Sequence, residues 1–350
     1  MKRAFTIDLL KLLAAQAIVL HHLSIYGPMA ELFNRLWPAQ TELFTECSRL
    51  AVQVFLVMGG FLAAQALDPR APQAPLLGRI LRRYLRLIPP YLVALTCISL
   101  LVWCMRGHID GDWLVDPPRW GSAIAHALTV QGLLDQPSLS AGVWYVAIDF
   151  QLYVLLVLVI AACQRPRMTA WAVLLLAMSS MWYFNHHPQL DNWPMYFFGS
   201  YGLGVLAGWR HRGIASGKLF GLALCSAVLA FCWAPRSRLA VASVTALVLL
   251  LSAHRPTPRN ALGDWMRRLS DASYGTFLTH FGLIVTVSAI WHIEHFSGLP
   301  WALAFVAFTW ILSVAIGMAF HRWVETPLGR WLGNLLPARG AAHRLPTVLP

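Results

Sequence analysis

Ten apolar stretches follow one another along the chain, and each is 17 to 26 residues long. An α-helix rises about 1.5 Å per residue, so about 20 apolar residues are enough to cross a bilayer. The pattern therefore predicts an all-α, polytopic integral membrane protein with about ten transmembrane helices. The predicted helices are residues 5–26, 44–67, 80–105, 143–163, 168–185, 193–209, 216–233, 237–253, 271–292 and 300–322.

The seventh and eighth stretches are separated by a very short turn at Pro235 and Arg236. Such a turn fits either two separate crossings or a re-entrant pair, and the pattern leaves both open. The tenth stretch continues as an amphipathic tail through Trp331. We interpret residues 1–336 as one membrane domain and expect residues 337–350 to form a short, disordered cytoplasmic tail.

Composition supports a membrane protein. Hydrophobic residues make up 58% of the chain and charged residues 12%, and the mean hydropathy is +0.58. Soluble domains carry about 25% charged residues, which excludes that class. The first stretch is not expected to be a cleaved signal, because it is long and contains charges. The six cysteines stand singly, without metal-ligand spacing, so we predict small hydrophobic roles for them and no metal.

Lysines and arginines are distributed unevenly between the predicted loops. With the N-terminus inside, 21 of the 27 fall on the cytoplasmic side, which is the bias that orients membrane proteins. We therefore expect both termini in the cytoplasm. Orientation then explains most of the formal net charge of +12, which does not indicate nucleic-acid binding. The long outer loop, residues 107–142, is acidic, and we expect its apolar part, residues 123–134, to lie on or dip into the membrane interface.

The first predicted helix carries ionisable residues within its apolar stretch. Lys11 and His22 are eleven positions apart, so they share one helix face and lie about 16 Å apart along the axis. Asp8 falls near the same stripe. Charges in hydrocarbon cost at least about 2.5 kcal/mol each, so an aligned set favours an interior site. The alternative is that Asp8 and Lys11 neutralise each other at the inner interface while His22 reaches the outer one.

The third predicted helix begins with an arginine-rich segment, RILRRYLRLIPPY, in which Arg83 and Arg86 stand shortly before Pro89 and Pro90. Prolines lack a backbone N–H and bend a helix, which makes room beside the guanidinium groups. Two guanidinium groups at a cytoplasmic mouth suit phosphate oxygens. The alternative is an anchor at the inner membrane surface, which we favour for the other two arginines of the segment.

A carboxylate lies within the fourth predicted helix. Asp149 stands about a turn and a half from the outer end of this helix, with Tyr153 on the same face. Carboxylates at such depth are costly, so we expect a functional or partnered role. The predicted topology puts His22 at a similar depth, and we predict that Asp149 orients it. A carboxylate that orients an imidazole makes histidine a general base.

Two further residues are candidates for the site. His280 is predicted near the middle of the ninth helix, where a lone histidine more often makes a helix–helix hydrogen bond than performs chemistry. Glu325 follows the tenth helix at the inner interface, within HRWVETPLGRW, where we expect it to pair with the arginines. For both residues we favour a structural role over a catalytic one.

Six blocks of the sequence, taken in order, resemble the acyltransferase-3 family of integral-membrane O-acyltransferases, which modify bacterial cell-surface glycans and related acceptors. The blocks are the first helix ending at His22, VFLVMGGFL, RRYLRLIPPY, WYVAIDFQLY, SYGTFLTH and the ETP of the tail. The resemblance covers almost the whole chain. It implies about ten transmembrane helices, an acyl-CoA donor taken from the cytoplasm, with acetyl-CoA expected, and transfer to an acceptor hydroxyl.

The resemblance also implies roles for single residues. The Arg-x10-His element of the family falls on Lys11 and His22, the Arg-x-x-Arg element on Arg83 and Arg86, and the acidic position on Asp149. Three positions depart from the family pattern. Lys11 replaces an arginine and loses its bidentate fork, Asp149 replaces a glutamate, and Gly59 replaces a serine.

Our hypothesis from the sequence is an O-acyltransferase of the bacterial cytoplasmic (inner) membrane. In it Arg83 and Arg86, together with Lys11, hold acyl-CoA, and His22, oriented by Asp149, deprotonates the acceptor. Transfer through a covalent acyl-His intermediate stays open as a second route. The expected partners are membrane lipids and a glycan or lipid-linked sugar, with no nucleic acid. Three alternatives stay open: a glycolipid transporter or flippase, a non-catalytic scaffold, and O-acylation of a secreted small molecule.

Overall fold

The computed structural model of the protein describes residues 4–71, 75–105, 114–115, 118–252 and 254–335. The predicted tail at residues 337–350 and part of the predicted outer loop lie outside these ranges. Within them the fold is all-α, as predicted. The helices are α1 Phe5–Leu23, α2 Pro28–Leu36, α3 Pro38–Arg49, α4 Ala51–Ala66, α5 Leu76–Met105, α6 Trp120–Ala127, α7 Trp144–Cys163, α8 Pro166–Trp182, α9 Pro194–His211, α10 Gly217–Trp233, α11 Ser237–Ser252, α12 Ala261–Ile293, α13 Leu299–Phe320 and α14 Thr326–Asn334.

Each of the ten predicted segments coincides with helical structure. In the part of the chain that the structure describes, six helical stretches are long and apolar enough to cross a membrane. They are Phe5–Leu23, Pro38–Ala66, Leu76–Met105, Trp144–Cys163, Ala261–Ile293 and Leu299–Asn334. These stretches support a membrane protein. Ten crossings, the passage of both α10 and α11 through the membrane, and cytoplasmic termini stay predictions.

Helix α9 lies at the centre of the bundle. All of its residues from Tyr196 to Trp209 are buried, and it packs against α4, α8 and α11. It is not among the six apolar stretches, because a helix enclosed by protein can be built from small residues instead of lipid-compatible ones. The stretch from α13 to α14 is, by contrast, mostly exposed on the surface of the bundle. Only 17% of its apolar window is buried, compared with 67% in α12.

Glycines allow α4 and α9 to approach until their backbones touch. A Cβ added to Gly60 would overlap the carbonyl group of Tyr201, and a Cβ added to Gly204 would overlap a carbonyl group of α4. Helices α12 and α13 cross in the same way at Gly275 and Gly317. Close approach through small residues is the usual way in which membrane helices gain packing energy.

The segment between α5 and α7 folds back into the bundle. The hydroxyl of Tyr84 donates to the carbonyl of Ala127 at 2.8 Å, and the amide of Gln151 donates to the carbonyl of Thr129 at 2.6 Å. The apolar segment at residues 123–134 is therefore fastened to both flanking helices. The inward course of this segment determines the depth within the bundle at which α7 begins.

Gly204→Ala is expected to destabilise the protein, because its methyl group would overlap the backbone of α4. Overpacking of this kind costs about 1–3 kcal/mol of unfolding free energy. The measurement is thermal unfolding of the purified protein in lipid nanodiscs. Gly221→Ala is the matched control, since the Cβ position of this α10 glycine faces open space, and alanine favours the helix. Equal melting temperatures for the two variants would contradict the tight crossing.

Candidate functional site

The carboxylate of Asp149 is buried in the bundle, where it pairs with the guanidinium group of Arg83. Asp149 is 5% exposed. Arg83 also lies over the ring of Tyr153, with its central carbon 5.3 Å from the ring centroid. A buried ion pair neutralises both charges, and removal of either partner leaves the other charge buried alone. The pair therefore ties α5 to α7.

Gly59 makes the room that this carboxylate needs. A Cβ added to Gly59 would lie 2.8 Å from Oδ1 of Asp149 and 3.6 Å from the ring of Tyr201. A side chain at position 59 would therefore push the carboxylate away. Gly59 and Asp149, two positions at which the chain departs from the family pattern, are thus neighbours in space.

His22 pairs with a second histidine. Its Nδ1 lies 2.7 Å from Nε2 of His280, and the two rings are almost parallel, at 12°, with their centroids 4.9 Å apart. Both rings are buried, and His280 has no exposed surface. Nδ1 of His280 lies 3.2 Å from the carbonyl oxygen of Thr276, in the preceding turn of α12.

These contacts determine which nitrogen atoms carry hydrogen when the pair is neutral. A carbonyl oxygen can only accept, so Nδ1 of His280 carries the hydrogen that it donates to Thr276. Nε2 of His280 then accepts, and Nδ1 of His22 donates. The remaining nitrogen, Nε2 of His22, keeps its lone pair. His22 is therefore held in the tautomer whose Nε2 atom can take a proton.

The predicted pairing of Asp149 with His22 is wrong. Asp149 is paired with Arg83, and His22 with His280. The reason is depth: the Cβ position of Gly142 lies 3.0 Å from Cε1 of His22, and Asp149 follows seven residues later, about 10 Å further along the chain. Because the preceding segment folds inward, α7 begins beside His22, and Asp149 lies about two turns deeper.

A cavity of about 240 Å³ lies between α1, α4, α5, α7, α12 and the turn that follows α13. We call it the charged cavity. Its titratable lining residues include Lys11, Arg83, Arg86, Asp149, Asp271, His321 and Glu325. Five of the residues selected from the sequence therefore meet in one place, although they come from four separate segments of the chain.

His22, His280 and Tyr153 are not among the described residues that line the charged cavity. Phe277 and Tyr145 line it, and their rings are in edge contact with centroids 5.9 Å apart. On its other side Phe277 reaches the ring of His280, at 6.1 Å between centroids. The site therefore has two parts, the charged cavity and the histidine pair, with an aromatic wall between them.

Arg86 lines the charged cavity without a hydrogen bond or ion pair to the described part of the chain. Glu325 is paired with His321, whose Nδ1 lies 2.8 Å from Oε2 of the carboxylate. No salt bridge between Glu325 and an arginine is found in the described ranges, but its carboxylate lies near enough to Arg86 to stabilise that charge, so the expected pairing is present only as a longer-range attraction. His321 and Glu325 are the two ends of a π-helical turn, and such turns occur frequently at functional sites.

Asp8 has a structural role next to the lining of the charged cavity. The hydroxyl groups of Thr257 and Ser270 donate to its two oxygens at 2.8 and 2.9 Å, and the residue is 2% exposed. These bonds hold the start of α1 against α12. They position the helix that carries Lys11 and His22.

Sequence reasoning missed three residues of the site: His321, Tyr145 and Phe277. His321 stands four positions before Glu325, a spacing at which helical side chains meet, so a signal for it is present in the sequence. Phe277 stands three positions before His280 and so shares its helix face, but this spacing does not predict a cavity beside it, and Tyr145 gives no comparable signal. Which face of an apolar helix borders a cavity depends on its neighbours, and these are set by tertiary packing.

Asp149→Asn and Arg83→Gln are each expected to lower the unfolding free energy by about 3–5 kcal/mol, because each leaves a buried charge without its partner. The double variant removes both charges. It should lose clearly less stability than the two single losses added together. Thermal unfolding of the four proteins in nanodiscs measures this coupling.

The exposed pair of Arg49 and Glu46 is the matched control, with an N–O distance of 3.1 Å and side chains 60% and 59% exposed. The corresponding cycle, Arg49→Gln with Glu46→Gln, should show almost no coupling, because solvent screens an exposed pair. Additive losses at Arg83 and Asp149 would show that those two side chains act independently.

Comparison with known proteins identifies the family of the chain. No curated protein and no solved structure matches it. A family model described as an acyltransferase domain matches residues 5–320, which include α1 to α13 and thus both parts of the site except the final π-helical turn. The chain therefore belongs to the acyltransferase-3 family, which implies acyl transfer by a membrane-embedded enzyme.

Proposed function

We propose that the protein transfers an acyl group from acyl-CoA to an acceptor hydroxyl, with the charged cavity as donor site and His22 as general base. The observation that carries this proposal is the arrangement of the two parts of the site. Lys11 in the cavity and His22 in the histidine pair lie eleven residues apart on α1, about 16 Å along one helix. The arm that joins the phosphates of CoA to its thioester can extend over such a distance.

Arg86 is the main phosphate-binding group in this proposal. Asp149 pairs with Arg83, and Glu325 pairs with His321. Arg86 feels only the longer-range attraction of these two carboxylates, and its guanidinium group lines the cavity without a hydrogen bond to the described residues. A planar guanidinium group binds phosphate oxygens through two parallel hydrogen bonds. Lys11 adds a second positive charge to the same lining.

His22 performs the chemical step. Nε2 of His22 takes the proton of the acceptor hydroxyl while the hydroxyl oxygen attacks the carbonyl carbon of the thioester. The C–S bond then breaks, an ester forms, and CoA leaves as a thiol after it receives the proton from His22. His280 is a positioning residue, because it accepts from Nδ1 of His22 and keeps Nε2 ready to take a proton.

The aromatic wall controls access between the two parts. Phe277 touches the charged cavity on one side and His280 on the other, so a thioester that enters from the cavity meets its ring first. We propose that rotation of the Phe277 side chain opens the way to His22. Tyr145, in edge contact with Phe277, supports the closed position.

The donor and acceptor are proposed from the family. Acetyl-CoA is the proposed donor, and a glycan or lipid-linked sugar in the bacterial inner membrane is the proposed acceptor. The rival is a transporter that moves a glycolipid without chemistry. Purified protein that cleaves acetyl-CoA supports the enzyme, whereas movement of an unmodified acceptor while acetyl-CoA stays intact supports the transporter.

His22→Ala is expected to lower acetyl-CoA turnover by about 10²-fold or more, the scale of a general-base contribution. His21→Ala is the matched control. The ring of His21 bonds outward to the carbonyl of Thr45 at 3.0 Å, so this variant should keep most of the activity. The measurement is release of free CoA from purified protein in nanodiscs. Full activity in His22→Ala would refute the assignment.

His280 gives an independent check of the same step. His280→Leu removes the acceptor for Nδ1 of His22 and should lower turnover while the Michaelis constant for acetyl-CoA stays unchanged. His280→Gln offers a carbonyl oxygen as a replacement acceptor and should restore part of the rate. Equal rates in the two variants would show that His280 only fills space.

Arg86→Ala is expected to raise the Michaelis constant for acetyl-CoA about tenfold or more, because a hydrogen bond to a charged group contributes about 1.5–3 kcal/mol. Arg167→Ala, at an exposed arginine in the first turn of α8, is the control and should leave the constant unchanged. Initial rates over a range of acetyl-CoA concentrations provide the comparison. An unchanged constant in Arg86→Ala would remove Arg86 from the donor site.

A further inference from the structure

A second cavity, of about 260 Å³, lies on the other side of α7. We call it the amide cavity. Helix α7 presents Tyr145 and Asp149 to the charged cavity, and Trp144 and Gln151 to the amide cavity. One helix thus separates two binding spaces of similar volume, and the proposed donor site occupies only one of them.

Unpartnered amide groups line the inner part of this cavity. Gln131 is 1% exposed, and neither its oxygen nor its nitrogen has a hydrogen-bond partner in the described part of the chain. Gln151 donates to the carbonyl of Thr129 at 2.6 Å, while its own oxygen is buried without a donor. Buried polar groups are normally satisfied, and those that are not require an explanation. A ligand with both donors and acceptors would supply the missing partners.

The other residues that line the amide cavity limit the class of ligand that can bind there. Trp144 and Phe197 stack with their centroids 5.4 Å apart and form an apolar wall. At the exposed rim stand Asp191 and Asn192, and Asp191 is the one ionisable group among the described lining residues. A lining without a cation does not suit phosphate. Amides that donate and accept, beside aromatic rings, suit a polyhydroxylated ring, whose hydroxyl groups bond in both directions and whose C–H face packs on an aromatic surface.

We infer that the amide cavity binds a neutral sugar unit of the acceptor. The identification of that sugar as acceptor rests on the proposed function, whereas sugar binding itself does not. Trp144 follows two residues after Gly142, which lies against His22, so at most about 7 Å of chain separates the cavity wall from the base. An acceptor of two or more sugar units can fill the cavity and still present a hydroxyl group to His22.

The test is saturation-transfer NMR on the full-length protein in nanodiscs, with free glucose, galactose, mannose, rhamnose and N-acetylglucosamine as separate probes. At least one of these sugars should receive saturation from the protein. Gln131→Leu should weaken its binding about tenfold or more, because two hydrogen-bonding atoms are lost. Asn192→Ala, at the exposed rim, should weaken binding without a change in melting temperature. Gln136→Leu, the same substitution outside the cavity lining, should change nothing.

Stability gives a second readout. Without sugar, Gln131→Leu should raise the melting temperature, because it removes a buried amide that has no partner. A lower melting temperature would show that Gln131 is structural and would overturn the inference. Absence of transfer to every sugar, or transfer that persists in both Gln131→Leu and Asn192→Ala, would overturn it too. A raised Michaelis constant for acetyl-CoA in Gln131→Leu, with sugar binding intact, would assign the cavity to the donor.

The proposed function fails in a different way. Absence of acetyl-CoA cleavage by the unaltered protein, both with water alone and with each of the five sugars as acceptor, would refute the proposed acetyl transfer, whether or not a sugar binds. Cleavage of acetyl-CoA without any sugar binding would refute the amide cavity alone.

Discussion

A carboxylate enclosed by apolar helices needs a cation beside it, and the structure meets this need by pairing Asp149 with Arg83. The charges around this pair follow from it. Arg83 is neutralised, so Arg86 is the guanidinium group in the lining of the charged cavity that makes no hydrogen bond to the described residues. Asp149 is occupied, so another group has to orient His22. The pair cannot be separated at low cost, because a single buried charge without its partner would cost several times the free energy of an ordinary contact.

The histidine pair stabilises a protonated His22 less than a carboxylate–histidine pair would. A neutral acceptor on His280 fixes the tautomer of His22 but places no negative charge beside the imidazolium that forms when His22 takes a proton. This arrangement is adequate for a reactive donor. A thioester is already activated toward attack, so the base has to remove the acceptor proton and need not stabilise a strongly disfavoured intermediate. The absence of a negative charge also spares the buried core a further costly carboxylate besides Asp8 and Asp149.

Small residues determine where these groups lie. The contact of α4 with α9 through Gly60 and Gly204 brings Gly59 against the carboxylate of Asp149 and the ring of Tyr201 against the same point. Any larger side chain at position 59 would move the carboxylate and disturb its pairing. The chemistry of the charged cavity therefore depends on a helix crossing that carries no catalytic group. Helix α7, held on both sides, then divides the interior into two spaces with different chemistry, one lined by charged groups of both signs and one lined by amides.

The fold class, the approximate positions of the helices and most of the charged residues of the cavity can be predicted from the amino-acid sequence alone. Hydrophobic periodicity and intramembrane charges are local signals, and the free-energy cost of a charge in an apolar helix does not depend on which neighbour finally compensates it. The pairings between these residues depend on tertiary packing. His22 and His280 are 258 positions apart, and the depth of Asp149 depends on how the segment before α7 folds inward. Helical spacing places residues along one helix, but the offset between two helices is set by packing, which no single segment encodes.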